Sequence, residues 1–414
     1  MNKRTDVAIV GAGLSGLAAA ITVQRAGLQP LIVEGLDRVG GRVRTDVIDG
    51  FTIDAGFQVF NPAYPAAKSI LNYDTLRLQS FSPGVRVING DSETLLGNPL
   101  RDASYLISYA KSIRARGISA LSDVAKFGTY AGLAASKSEP DIYDCSAREA
   151  LQRSGMSDDF IEHTIKPFLT GVFLENNLET SRRVLDFVLE YFIKGVPALP
   201  ANGMAAIATQ MAALLHADSI NLQTWAHGIS EHTIDTDAGR INADSVILAT
   251  EQDTASAWLG MPNYGWRSVT TWYHSTPTQL LNGKALLSVD GDPQGPVINT
   301  VPISNAAPTY APTGTTLISS STLGTDTSSE MENRVRQHAA KIYGASTDGW
   351  SLVAVTAVEK ALPISRPPFN VSTSVPCING VFVAGDYLRE PSINSAIASG
   401  VSAGLAAVAK VRGR

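Results

Sequence analysis

Gly11-Ala12-Gly13-Leu14-Ser15-Gly16 places three glycines at the spacing that lets a backbone turn tightly, approach a pyrophosphate and pack a helix on a strand. Glu34 follows at about the interval where a carboxylate takes both hydroxyls of a ribose, with Gly35 directly after it. A 2′-phosphate would be repelled there, so NADP is disfavoured. A second glycine turn, Arg38-Val39-Gly40-Gly41-Arg42-Val43-Arg44-Thr45, can bring a guanidinium and bare backbone N–H groups to the same phosphates. Plain NAD dehydrogenases do not need this. Near the other end of the chain, Gly385-Asp386 closes an apolar run and Pro391-Ser392-Ile393-Asn394 precedes a small-residue stretch. The N–H groups of a helix starting there can face the electron-rich edge of an isoalloxazine, while Asp386 holds a ribityl or phosphate-side hydroxyl.

These groups need elements to hold them. The β-branched run Asp6 to Val10 predicts a strand entering the first turn, and the alanine-rich segment Leu17 to Ala26 predicts the helix leaving it. Leu31 to Val33 is a second strand that delivers Glu34. Gly380 to Ala384 reads as a buried strand and Ser395 to Ala409 as the terminal helix. The helix after the first turn directs its N–H groups and positive dipole end at the phosphates.

Together the blocks Asp6 to Ala20, Val33 to Thr45 and Val381 to Gly400 resemble those of the flavin-containing amine oxidase and phytoene desaturase superfamily. Asn242 to Thr250 resembles the strand that returns the family's chain to its FAD domain. The resemblance implies that Gly11, Ala12, Gly13, Leu14, Ser15 and Gly16 bind the FAD pyrophosphate, Glu34 and Gly35 the adenosine ribose, and Gly40, Gly41 and Arg42 the phosphates. It implies that Gly56, Phe57, Gln58 and Val59 lie beside the flavin ring, that Ala226 reads adenine through its backbone, and that Ala249 and Thr250 border the cofactor. Gly385, Asp386, Ser392, Ile393 and Asn394 match the C-terminal clamp. The desaturase-like branch fits better than the amine oxidases. Pro391-Ser392-Ile393-Asn394 stands where amine oxidases usually carry an aromatic residue, and Ser268 where many carry a lysine over flavin N5.

The expected fold class is α/β: a discontinuous Rossmann-like FAD-binding domain, residues 1–60, 198–262 and 362–414, with an α+β substrate domain, residues 61–197 and 263–361, roofed by an antiparallel sheet. Trp272, Tyr273 and Tyr387 are candidate walls of the substrate pocket. The stretch from Leu100 to Ser138, with Lys111, Arg114, Arg116 and Lys126 among apolar residues, reads as a solvated helical hairpin in preference to a segment in peripheral membrane contact.

Composition limits the alternatives. The 414 residues allow two to three domains, and 17% charged residues against 44% hydrophobic ones point to a large buried interior. A net charge of -5 has the wrong sign for a nucleic-acid partner. Two distant cysteines, Cys145 and Cys377, make neither a disulfide framework nor a CxxC pair, which fits a reducing, cytoplasmic setting. Motifs for phosphoryl transfer, zinc hydrolysis and the nucleophile elbow are missing, and no metal site is expected. The expected activity is therefore FAD-dependent removal of a hydride from a C–C or C–N bond of a largely apolar small molecule, with FAD held non-covalently. No side chain is singled out as catalytic. Oxygen or a quinone are the acceptors considered. The alternatives are a redox-neutral flavin isomerase, a flavin-dependent amine oxidase, and a flavin-bound chaperone or sensor without turnover.

Overall fold

The β-branched run before the first glycine turn becomes the centre of a mainly parallel eight-stranded sheet in this computed structural model, which describes residues 3–97, 118–136, 143–371 and 374–413. Strand Lys3–Val10 lies parallel between Gly239–Leu248 and Pro30–Val33, with the short Ile220–Asn221 beyond. Gly239–Leu248 has a shared outer edge: Thr233–Thr236 pairs antiparallel with its first half, Val381–Val383 parallel with its last. Alternation explains the continuous apolar run. Val7 and Ile9 enter the core on one face of the sheet, Ala8 and Val10 the core on the other.

Two helices cover one face. Leu14–Arg25 starts at Gly13, which serves as its N-cap, and Ile393–Val411 starts at Ser392, whose hydroxyl accepts from Ser395 N at 3.1 Å. Glycine inside a helix costs roughly 1 kcal/mol relative to alanine, yet the terminal helix carries Gly400 and Gly404 one turn apart. Close packing is the reason. A Cβ at Gly400 would lie 2.0 Å from Ser15 O, and one at Gly404 would lie 2.9 Å from Ala19 O.

The second, seven-stranded sheet runs in the order Ser351–Pro363, Trp266–Thr276, Thr316–Leu323, Val297–Pro302, Leu287–Asp290, Val85–Asn89, Ser92–Leu96. Its strands from residues 266–363 pair antiparallel, as expected, and Leu287–Asp290 also pairs parallel with Val85–Asn89 from an earlier piece of the chain. That insertion, Ala147–Arg153, Lys166–Phe173 and Arg182–Lys194 with Ile118–Ser136, shares its own core around Leu151, Ile165, Leu185 and Phe173. The hairpin expectation for residues 100–117 lies outside the described residues. Among the described residues no helix is long and apolar enough to cross a membrane.

The parallel sheet draws on residues 3–33, 220–248 and 377–383, and the second sheet on residues 85–96, 266–323 and 351–363. Two units interleaved along the chain are the result. They meet where Ala198–Leu199 pairs with Gln79–Ser80 and bridges to Phe60.

Candidate cofactor and substrate site

The first glycine turn leaves Val10 with Gly11 at φ +100°, and a Cβ there would stand 2.8 Å from Ala249 O. Gly16, one helical turn further, packs on that turn directly. A Cβ on it would fall 1.9 Å from Gly11 O. The second glycine turn is tied to the first, since Gly40 N donates to Ala12 O at 2.9 Å. Glu34 is fixed from both sides: Oε2 accepts from Ala12 N at 2.7 Å and Oε1 from Leu36 N at 2.9 Å. Behind Gly35, the exposed Trp225 ring lies so close that a Cβ would be 2.5 Å from it.

Arg42 Nη2 reaches Asp386 Oδ1 at 2.5 Å, joining the second glycine turn to the C-terminal segment, and its guanidinium lies over the Trp266 ring. Gly385 N is held by Ser399 Oγ at 3.0 Å. Gln58 Nε2 donates to Arg42 O and Ala55 O, both at 2.8 Å, which locks the segment Gly56 to Val59 beside the turn.

One cavity of about 820 Å³ joins these pieces. That is within the roughly 300–1,000 Å³ range of small-molecule and cofactor sites. Of the residues singled out from sequence, Gly11, Gly13, Leu14, Ser15, Glu34, Gly35, Gly40, Gly41, Arg42, Gly56, Phe57, Gln58, Val59, Ala226, Ala249, Thr250, Gly385, Asp386, Ser392 and Ile393 line it. Ala12, Gly16 and Asn394 do not. Ala12 holds Glu34, Gly16 packs the helix on the turn, and Asn394 Oδ1 accepts from Ala66 N at 3.1 Å. The fit to a dinucleotide rests on the backbone cradle at Gly11 to Ser15. A Cβ added at Gly13 would meet no protein atom within 4 Å, so open space lies where a phosphate group would approach.

The three expected aromatic walls are corrected by strand parity and packing. Trp272 points to the far face of its sheet, against Val335 and Ile342. Tyr273 shares the cavity-side parity of Val269 and Thr271, but its hydroxyl is spent on Asp54 O at 3.0 Å and Gly56 O at 3.3 Å. Tyr387 is buried in the core on the opposite face of the parallel sheet.

The compartment beyond Phe57 is instead walled by aromatics that sequence reasoning missed. Tyr64 and Tyr191 have ring centroids 4.8 Å apart, as do Phe187 and Tyr191, and Phe168 and Phe192 lie 5.4 Å apart. All five rings line the cavity with Phe57 and Phe81. Phe187, Val188, Tyr191 and Phe192 recur at helical spacing on Arg182–Lys194, a signal legible in the sequence. Burial pushes the Tyr191 phenol up to about 12, helped by Glu190 and Glu390, so it is neutral at working pH. Among the described lining residues there is no lysine and no histidine.

Asp54 anchors the floor below. It is almost fully buried and accepts from Thr45 Oγ1 at 2.5 Å, Met204 N at 2.9 Å and Tyr310 OH at 2.8 Å. Burial pushes its carboxyl up from 3.8 to about 6, the three donors opposing the shift only in part. Because the folded state then binds the proton more tightly than the unfolded chain, stability falls as pH rises from about 4 to about 6 and levels above that, by roughly 3 kcal/mol at most. Melting temperatures of wild type and Asp54→Asn measured between pH 4.5 and 7.5 check this. The wild type's advantage should shrink as pH rises through that window, and a constant difference would count against it.

A family model described as flavin containing amine oxidoreductase matches residues 14–409. Polyamine oxidase 2 of Arabidopsis thaliana is 46% identical over 54 residues, 13% of this chain and 11% of that one. The 4,4'-diapolycopene oxygenase of a Methylomonas species is 44% identical over 55 residues, again 13% and 11%. Such matches span about a tenth of the curated relatives' length. A putrescine oxidase double mutant superimposes with a TM-score of 0.71 at 18% identity, covering 99% of this chain and 100% of that one, which is a likeness of fold.

Proposed function

The chain belongs to the flavin-containing amine oxidoreductases, and from that premise we propose that it removes a hydride from a C–C or C–N bond of a largely apolar small molecule beside non-covalently held FAD. The observation that carries this reading is the single cavity running from the glycine turn into the aromatic compartment of Tyr64, Phe168, Phe187, Tyr191 and Phe192. A polar cofactor cradle and an apolar chamber share one space.

Gly11, Gly13 and the start of helix Leu14–Arg25 would hold the pyrophosphate, Glu34 the ribose, and Ala226 the adenine. Ser392 and Ile393, at the N-terminus of Ile393–Val411, would face the flavin ring. Bound FAD supplies acceptance of a hydride equivalent. The chain's own side chains orient and dry the substrate: rings pack on its faces, and Gln58, Thr356 and Thr271 fix the backbone of Ala55, Gly56 and Phe57 beside it. The described lining residues include no lysine, which favours a desaturase-like reaction over oxidation of simple amines.

Two measurements test the reading. Anaerobic mixing of the holoprotein with a panel of apolar C–H and amine donors should bleach the flavin band with at least one of them. Activity that needs pre-reduced flavin and regenerates it would replace this reading with an isomerase. Glu34→Ala should weaken flavin retention by about 1–3 kcal/mol, or roughly 5- to 150-fold, measured by reconstituting apoprotein.

A further inference from the structure

A polar row crosses the second sheet and ends at the cavity, which Ser321 and Asn299 line. Thr356, Thr271, Ser321 and Asn299 are successive cross-strand partners on four neighbouring strands, so their side chains share one face. The first two have work within the protein: Thr356 Oγ1 accepts from Gly56 N and Thr271 Oγ1 from Phe57 N, both at 3.1 Å. Ser321 Oγ lies 3.4 Å from Thr271 Oγ1. Asn299 ends the row, and it is different. Only 3% of it is exposed, it lines the cavity, and its Oδ1 has no hydrogen-bond partner.

An orphaned buried amide oxygen is costly, and a leucine of nearly the same shape would remove that cost. The surroundings also make room for this amide. Gly171, on helix Lys166–Phe173, faces it across the cavity wall, and a Cβ there would stand 2.5 Å from Asn299 Nδ2. Helix and strand together enclose the amide at the edge of the aromatic chamber, its carbonyl oxygen buried and unpaired.

Building on the reading of that chamber as the substrate pocket, we propose that Asn299 is its polar anchor and that the substrate is an apolar, ring-sized molecule carrying a neutral N–H or O–H group. The donor is neutral because each carboxylate among the described lining residues already has partners within the protein. Glu34 is held by Ala12 N and Leu36 N, Asp386 by Arg42, and Glu251 by Lys360. Burying an ammonium against an amide oxygen alone would cost far more than the bond returns. Asn299 thus acts in positioning and selection and takes no proton.

The test uses the holoprotein and ring-matched probes that need no turnover: indole against indene, and 4-ethylphenol against 4-ethyltoluene. Binding is read from perturbation of the flavin band. In wild type the donor-bearing member of each pair should bind about tenfold more tightly or better, as expected for a site built around one hydrogen bond. Asn299→Leu and Gly171→Ala, the second displacing the amide without deleting it, should bring the ratio below about threefold while flavin content stays unchanged. Asn299→Leu should also raise the melting temperature, whereas an amide with a structural role would lower it. A wild-type ratio near one, failure of both pairs to bind, a ratio that survives the variants, or a lowered melting temperature would each overturn the proposal. Substrate bleaching of the flavin is read separately, so loss of the donor preference and loss of the redox reading are distinguishable.

Discussion

Gly13→Ala protein should fold with wild-type stability and yet lose flavin affinity by about 100-fold, roughly 3 kcal/mol. The backbone at Gly13 has φ -68° and a new Cβ would meet no protein atom within 4 Å, so folding has no reason to suffer. Only a ligand pressed against that backbone would feel the methyl group. Gly16→Ala is the contrasting case. Its Cβ would fall 1.9 Å from Gly11 O, and the helix start must move by about an ångström to restore contact distance. Gly11 cannot yield easily, since its N–H is bonded to Val33 O at 2.9 Å and its own φ is positive. The N–H groups of Leu14 and Ser15 would leave the cradle, and overpacking would cost about 1–3 kcal/mol of stability besides. Melting temperature and apoprotein reconstitution, measured on both variants, separate the two effects. Retained affinity in Gly13→Ala would remove the pyrophosphate from this turn.

The glycine turns were readable because their demand is local: a positive φ or a close approach selects glycine at one position regardless of the rest of the chain. Glu34 was readable for a similar reason, standing one strand away at a fixed interval. The substrate side is set by relations that no local pattern carries. Trp272 and Thr271 are neighbours in sequence, yet strand parity sends one into a core beside Val335 and the other to the cavity roof. Tyr273 has the right parity and still fails as a wall, because Asp54 and Gly56 from a distant part of the chain claim its hydroxyl. Asn299 becomes visible only once three strands are in register. Phe187 and Tyr191 showed an amphipathic face, but not what it would enclose. The Arg42 to Asp386 pair joins positions 344 residues apart, which spacing within either motif cannot reveal.

Gly400→Leu should lower the melting temperature by about 2–4 °C and release flavin as well, through a contact that touches no ligand. The terminal helix meets Leu14–Arg25 without side chains between them at Gly400, where a Cβ would stand 2.0 Å from Ser15 O and 2.9 Å from Ala18 Cβ. Ser15 therefore sits between two contacts that exclude a Cβ, the turn packed on Gly16 and the helix packed on Gly400. A leucine would push the terminal helix outward and uncover Ile397, Ala403 and Ala407, which are fully buried. The displacement propagates to function because the same helix carries Ser392 and Ile393 at the cavity and Ser399, which holds Gly385 N. Loss of flavin would thus accompany loss of stability in Gly400→Leu, whereas Gly13→Ala loses flavin alone. Leu405→Gln, on the same helix but 58% exposed, should leave both within error. If Gly400→Leu melted with wild type, the two helices would have room that their backbones deny, and the close contact would not be what seats the C-terminal clamp.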